Sequence, residues 1–477
     1  GEGKFFIKKK SGSSAFPFDF KATQSLEKPL LDPFWKVNGR LWISNEKRGF
    51  LAETSKKARL EIMTKNKVIA QVDAEVIWVL PDHSIQIPEG KFRANIAQND
   101  SIIHPKVRIQ WDAKAEKLHV NKLPGLASLA LFFEDSFHQL RISADLAIVN
   151  PETQKIDFFR VAAKEETPAW VESYDFFEKE RVRTALGIMA YDPMRILYNY
   201  FKEKKVSAAY LWDIASRYGK KEEDIRSGFQ VFKQAGFLQI DAPGDLISFT
   251  RTGKHYANVL FDKKDFDQFY VSSSGELTSK EPNISYELSK DQLIVNGVDE
   301  ITVSDSLHAA FRPKNHQIVF TKGRDFDLDG LVKIGNYRFR GPDFRFNFAE
   351  FRIEFDKIDS ITFFPRKKDG SLSTRELGGD LKYQSGSILL SPPNNKSGRL
   401  GLKAFPKLII PKGVTAYFNE VWRAGGAYSK EHYFQVPKIE LDSLLDKEIT
   451  FQGTFYSKGL FPQLKTSLEI MDDQTFG

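Results

Sequence analysis

The 477 residues carry 70 Lys+Arg against 63 Asp+Glu, a formal net charge of +7, with 41% hydrophobic residues, 13% aromatics and no cysteine. That composition excludes disulfides, thiolate metal sites and a cysteine nucleophile, and it is not that of a disordered chain. A basic excess spread this thinly does not predict a nucleic-acid face, and the densest runs, Lys8-Lys-Lys10 and Arg366-Lys-Lys368, sit near Gly or Ser and read as solvated loops.

The length accommodates two to four domains, or one elongated repeat body with an insertion. From about residue 35 to 165 the pattern has period two. Arg59-Leu-Glu-Ile-Met, Val72-Asp-Ala-Glu-Val-Ile-Trp-Val, Ser84-Ile-Gln-Ile and Val107-Arg-Ile-Gln-Trp each alternate apolar and polar residues, as half-buried strands do. The apolar stretch 123–133 is about half the length a helix needs to cross a bilayer.

Between about 168 and 262 the periodicity becomes helical. Asp192-Pro193 is a helix start, followed by an apolar face of Ile196, Leu197, Tyr200 and Phe201. Ser207 is expected to cap a second helix carrying Leu211, Ile214 and Ala215, with Gly219 as its stop. A third helix carries Ile225, Phe229 and Phe232 and ends at Gly236. Phe237-Leu-Gln-Ile240, a Pro243-Gly244 turn, Leu246-Ile-Ser-Phe-Thr250 and a last helix from Tyr256 to Leu260 complete a segment of roughly 70 residues that resembles a winged-helix domain. If it read DNA, its third helix should present Lys, Arg, Asn or Gln to a groove. It opens Lys220-Lys-Glu-Glu-Asp224 instead, and the ribbon carries Asp241 and Asp245, so nucleic acid is not the expected partner.

From about residue 265 the strand pattern returns, clearest where Phe344, Phe346, Phe348, Phe351, Ile353 and Phe355 alternate with Arg345, Asn347, Arg352 and Glu354. The 41 phenylalanines of the chain suit stacked strands, where rings pile up on successive layers. Residues 366–379 read as a loop or junction. Ser387-Ile-Leu-Leu, Lys407-Leu-Ile-Ile and Ile449-Thr-Phe-Gln-Gly-Thr-Phe then give a further β unit.

Short phrases recur. His83-Ser-Ile-Gln-Ile-Pro-Glu-Gly-Lys91 matches His316-Gln-Ile-Val-Phe-Thr-Lys-Gly-Arg324, and Asp135-Ser-Phe-His138 matches Asp305-Ser-Leu-His308. Asp-Ser also begins at Asp100, Asp359 and Asp442. Repeated β units with similar corners explain this, and His138 and His308 then serve turns, with Asp or Ser capping, and not catalysis. The fold class expected is mainly β, as a β-solenoid or repeat sheets, with antiparallel β-sandwiches as the alternative and a winged-helix-like helical insertion. The divisions are 1–167, 168–264, 265–365 and 366–477.

Thr321-Lys-Gly-Arg-Asp-Phe-Asp-Leu-Asp-Gly330, Phe344-Arg-Phe-Asn-Phe, Pro393-Asn-Asn-Lys-Ser-Gly398 and Gly453-Thr-Phe-Tyr-Ser-Lys-Gly-Leu-Phe-Pro462 resemble segments of very large uncharacterised β-repeat proteins of Bacteroidota-type bacteria. The resemblance implies an internal portion of a longer chain, an expectation that fits its start at Gly1, and a place in the cell envelope, periplasmic or associated with the outer membrane.

Candidate chemistry is sparse. Asp325, Asp327 and Asp329 match the first half of a calcium loop, but its twelfth position is Asn336 where an acidic residue is needed, and an outward-facing strand explains the same spacing. No cofactor is expected, with calcium at these aspartates as the alternative. No zinc spacing of histidines, nucleophile elbow, phosphate loop or dinucleotide fingerprint occurs. Lys322, Arg324, Arg338, Arg340 and Arg345 give the third region a basic edge that could suit an acidic polysaccharide. The expectation is a non-enzymatic scaffold of the bacterial envelope that docks other envelope proteins. Alternatives are a carbohydrate-active or carbohydrate-binding solenoid, a lipid-carrying β-groove whose rings line an open trough, and a nucleic-acid-binding winged helix.

Overall fold

A computed structural model describes residues 2–7, 18–28, 33–44, 48–64, 67–97, 99–123, 131–161, 168–241, 245–274, 281–364, 381–383, 385–417, 424–444 and 451–468. Most of 123–133, both basic runs, the Pro243-Gly244 turn and the whole of 366–379 lie outside them, as do Ile449 and Thr450. Two compact units emerge: Gly1–Lys264 with Leu277–Ile294, and Asp265–Glu276 with Val295–Gly477. The fold is mainly β, built of large antiparallel sheets.

In the first unit the strands Ile85–Asn95 and Ser101–Asp112 form a long antiparallel hairpin whose register shifts around Gly90. Each strand then changes partner along its length. Gly90 to Ala94 pair with the strand Lys67–Ala74, whereas Ile85 and Gln86 pair with Val76–Val79. Val107 to Asp112 pair with Lys117–Lys122, whereas Ile102 and Ile103 pair with Phe133–Asp135. One hairpin therefore feeds two ladders. The first continues through Leu146–Asn150, Lys155–Phe159 and Ile284–Glu287, and the second through Leu140–Ser143 and Ala169–Ser173.

The second unit repeats the device. Phe326–Ile334 and Tyr337–Asn347 form a hairpin with a register shift between Leu328 and Gly330. Gly330 to Ile334 pair with Ala309–Pro313, Tyr337 to Arg340 with Ser360–Phe363, and Arg345 to Asn347 with Arg352–Phe355. Gly330 has φ 152° and a Cβ there would lie 2.1 Å from the Arg312 carbonyl oxygen. Any side chain must push the neighbouring backbone away, so Gly330→Ala is expected to cost at least about 2 kcal/mol. Chemical denaturation of the full chain, followed by hydrogen exchange in the second unit, checks it. A separate five-stranded antiparallel sheet joins Leu381–Tyr383, Val414–Tyr417, His432–Val436, Phe451–Ser457 and Leu464–Leu468.

Alternation explains both units: Phe326, Leu328, Phe344 and Phe346 face inward while Asp327, Asp329, Arg345 and Asn347 face outward. Phe311, Phe326 and Phe346 meet edge to face or tilted at 5.1–5.4 Å, with Phe269 tilted against Phe326 at 6.0 Å and stacked on Phe346 at 6.3 Å, a closed core in which each buried ring contributes about 1.5–3 kcal/mol. A lipid-carrying groove would line an open trough with these rings. Every described ladder named above is antiparallel, as the sandwich alternative expects, and the solenoid reading gains no support from it.

Five helices occur among the described residues: α1 (Lys179–Leu186), α2 (Pro193–Lys204), α3 (Leu211–Arg217), α4 (Glu222–Gln234) and α5 (Arg251–Leu260). Asp192 caps α2 by accepting from the Met194 and Arg195 amides, as its place before Pro193 predicts. Three details differ from the sequence reading. Ser207 caps nothing, because Ala208–Tyr210 is first drawn into a strand against Leu246–Phe249 and α3 starts only at Leu211. Residues 169–173, inside the stretch read as helical, are a strand of the second ladder. The short α1 has too few apolar positions to announce itself, burying only Val182 and Ala185. No helix among the described residues is long and apolar enough to cross a membrane.

Candidate functional site

The strand Ala169–Ser173 places Glu172 inward, beside Arg141 on its neighbour Leu140–Ser143, with the two residues directly paired in register. Both are buried, at 0% and 1% exposure. The Arg141 Nε lies 3.4 Å from Glu172 Oε1, and its other nitrogens donate to Thr252 Oγ1 at 2.7 Å and to the Ser173 carbonyl at 3.1 Å. From α1, Arg181 closes on the same carboxylate with two bonds, 3.1 Å to Oε1 and 2.7 Å to Oε2. Burial alone would lower the Arg181 pKa, but the adjacent Glu172 charge outweighs it and raises it. Two guanidiniums thus share one buried carboxylate, and Thr252 ties α5 to it.

Above this network lies a cleft of about 640 Å³. Its walls come from Phe132 and Trp170 of the strand side, Arg181 and Ala185 of α1, Val231 and Gln234 at the end of α4, and Phe237, Thr252 and Tyr256. The Arg181 guanidinium sits 5.6 Å from the Trp170 ring centre and 4.8 Å from that of Phe176. Phe132 meets Trp170 at 5.2 Å, and Phe237 meets Tyr256 at 5.0 Å. The size and the mixed lining, four aromatic rings among apolar and charged or polar side chains, are those of a ligand or side-chain pocket. Glu178 and Glu180 also line it, paired with Arg181 and Arg183, each at 3.0 Å, and Arg181 is shared with Glu172. The arrangement can bind and orient a ligand.

Sequence reasoning missed this site. Arg141 and Glu172 occupy what alternation reads as solvent-facing positions, yet Leu140, Arg141, Ile142 and Ser143 are all buried because helices cover the outer face of their ladder. Only a strand assignment at 169–173 would have brought the pair to notice.

The positions singled out from sequence fall elsewhere. Asp325 accepts from the Phe348 amide in a turn, and Asp327 and Asp329 follow on the outer face of Phe326–Ile334, with Asp329 accepting from the Asp343 amide. Burial raises the pKa of Asp325 and of Asp327. Among the described residues no three His, Cys, Asp or Glu side chains gather as a metal site.

The Asp-Ser echoes at Asp135 and Asp305 are turns. Asp135 accepts from the Phe137 and His138 amides and holds His138 Nδ1 at 2.6 Å, fully buried. Ser136 Oγ donates to Asp100 at 2.8 Å and accepts from the Ser101 amide at 3.0 Å, so two of the echoed pairs bond to each other. His308 sits in the corresponding turn with φ 47°, donating its amide to the Asp305 carbonyl. His83 and His316 likewise have positive φ, 66° and 53°, at turns entering strands.

The basic edge divides. Arg324 is buried with its guanidinium 3.9 Å from the Phe348 ring centre, Lys322 lies in the turn before it, and Arg345 is paired with Asp356 at 2.9 Å. Arg338 and Arg340 share a different face.

No protein-family model, curated protein or solved structure matches this chain.

Proposed function

We propose that the chain works without catalysis, as a stiff β scaffold of the bacterial cell envelope that holds a winged-helix-like module for docking by another envelope protein. The observation that carries this reading is the buried Arg141–Glu172–Arg181 network, which fastens α1 and α5 to the strands beneath them and leaves an aromatic cleft beside the fastening. A fixed cleft presents the same surface to every partner and saves the ordering entropy of a mobile one. The order α2, strand Ala208–Tyr210, α3, α4, then the ribbon Leu238–Asp241 and Leu246–Phe249, supports the winged-helix assignment, and the envelope location rests on the resemblance to Bacteroidota-type repeat proteins.

Nucleic-acid reading is the poorer use of this module. Arg226 of α4 pairs with Asp245 and Glu222, Arg217 pairs with Glu203 at 3.0 Å, and Tyr191 packs over Gly228 on the same helix. Cations tied to carboxylates offer little to phosphates.

The test is to tag the protein in its native host, fractionate the cells and identify what co-purifies, with Val231→Arg as the comparison. Val231 is 37% exposed at the cleft mouth, so this change alters the cleft without disturbing the core. An envelope protein recovered with the wild type and reduced at least roughly tenfold by Val231→Arg is the expected result. Recovery in the cytosol with nucleic acid overturns the proposal, as does a partner indifferent to Val231→Arg.

A further inference from the structure

In the second unit the ladder Ile301–Ser304, Ala309–Pro313, Gly330 to Ile334, Tyr337 to Arg340 and Ser360–Phe363 buries one face, with Val303, Phe311, Val332 and Phe339 all inaccessible. Alternation sends Arg312, Lys333, Arg338 and Arg340 to the other face. Register puts Lys333 directly opposite Arg338, and sets Arg312 and Arg340 on either side of Leu331. At the usual strand separation, Arg312 and Arg340 are therefore about 10 Å apart. One carboxylate answers them: Glu300 takes Arg312 at 2.6 Å and also bonds Lys333. Arg338 donates to the Gly335 and Tyr337 carbonyls, both at 2.9 Å, and Arg340 has no side-chain partner among the described residues. Burial, and then the neighbouring Arg312, lower the Arg338 pKa, as expected where like charges crowd one surface.

The other half of the same hairpin carries Asp327, Asp329 and Asp343 with Glu354 and Asp356 around Arg345. The first half thus sets four cations against Glu300, which takes Arg312 and Lys333, while Arg338 lies over the Phe364 ring at 5.2 Å. The same face presents the hydroxyl residues Thr302, Ser360 and Thr362, one from each of the outer strands Ile301–Ser304 and Ser360–Phe363 and a second from the latter.

We infer that this sheet face binds an acidic polysaccharide, with Arg340 and the neighbouring Arg338 taking carboxylates of uronate residues, Arg312 and Lys333 staying with Glu300, and the flanking hydroxyls meeting sugar hydroxyls. Guanidinium forks match carboxylates in a bidentate manner, and cations repeated at strand spacing suit an extended chain with regular charges. A five-stranded ladder is too wide for a duplex groove, and the two apolar residues within the patch, Ala310 and Leu331, lie between polar or charged neighbours and do not form a wedge for a membrane. The inference is independent of the cleft.

Binding of the purified full chain to polygalacturonate, measured by calorimetry at low and high salt, tests it. The wild type is expected to bind, to weaken with salt and to ignore neutral dextran. Arg340→Glu should weaken binding by roughly tenfold or more, and Arg340→Gln by a smaller factor, while Arg345→Gln on the other ladder leaves it unchanged. Arg340→Gln removes one exposed, unpaired group, so it keeps the test valid should the charge reversal unfold the unit. No binding to polygalacturonate, or binding indifferent to both Arg340 variants, overturns the inference. Equal affinity for duplex DNA or phosphatidylglycerol vesicles, with the same loss in Arg340→Glu, also overturns it by reducing the face to a charge-only surface.

Discussion

Replacing Glu172 with alanine is expected to destabilise the first unit by about 3–5 kcal/mol, the cost of leaving buried charges without their counter-ion. The carboxylate is fully buried and takes Arg181 at 2.7 Å and 3.1 Å and Arg141 at 3.4 Å. Without it, Arg141 stays inside with only neutral acceptors at Thr252, Ser173 and Tyr174. A guanidinium cannot shed its charge to escape, so the strain is met by unfolding or by releasing the helices. The first unit should therefore unfold at lower denaturant, and proteases should cut near α1 and α5 first. The triple replacement Arg141→Met, Glu172→Leu, Arg181→Met should recover most of the loss, because apolar side chains of similar volume owe no desolvation. A triple variant as unstable as Glu172→Ala would show that packing, and not charge, is what the network supplies.

Acidification from pH 7 to pH 5 is expected to remove about 4 kcal/mol from the first unit through two buried histidines. Burial, and then Lys122 nearby, push His104 down to about 3; burial, and then Lys264, push His255 down to about 4. Both rings are neutral when folded across this range, whereas in the unfolded chain each titrates near 6.5. The unfolded state thus binds more protons as pH falls, and stability present above 6.5 is lost progressively down to the folded values. By pH 5 each histidine accounts for about 2 kcal/mol, and His119, lowered by burial in the same direction, adds to this. Stopping at pH 5 keeps most carboxylates out of the comparison. Thermal unfolding against pH is the measurement, with His104→Leu expected to flatten the slope by about half. A slope unchanged in His104→Leu and His255→Leu would place the acid sensitivity elsewhere.

Some of this was readable in the sequence, for a definable reason. Strands facing solvent on one side alternate, so Arg59-Leu-Glu-Ile-Met and Phe344-Arg-Phe-Asn-Phe gave their facing away, and Asp192-Pro193 marked a helix start through its own local chemistry. Periodicity reports which side a residue faces and not which strand it pairs with. The partner switching at Gly90 and Gly330 therefore stayed hidden, although both glycines stand in the sequence. The candidate cleft was invisible for a related reason: Arg141 and Glu172 read as outward residues until Arg181 of α1, nine positions on from Glu172, and Thr252 of α5, 111 positions on from Arg141, cover them. Charges on the basic edge looked like one group, whereas the bend of the hairpin sends Arg338 and Arg340 to one ladder and Arg345 to the other.

Hydrogen exchange of the native chain, compared between wild type and Glu172→Ala, tests most directly the claim that the strands hold the helical module as one rigid body. The account predicts that the amides of α1, α5 and the strand Ala169–Ser173 are protected to the same degree in the wild type and lose protection together in the variant. Protection of α1 and α5 far below that of the strand in the wild type, or unchanged in Glu172→Ala, would contradict it.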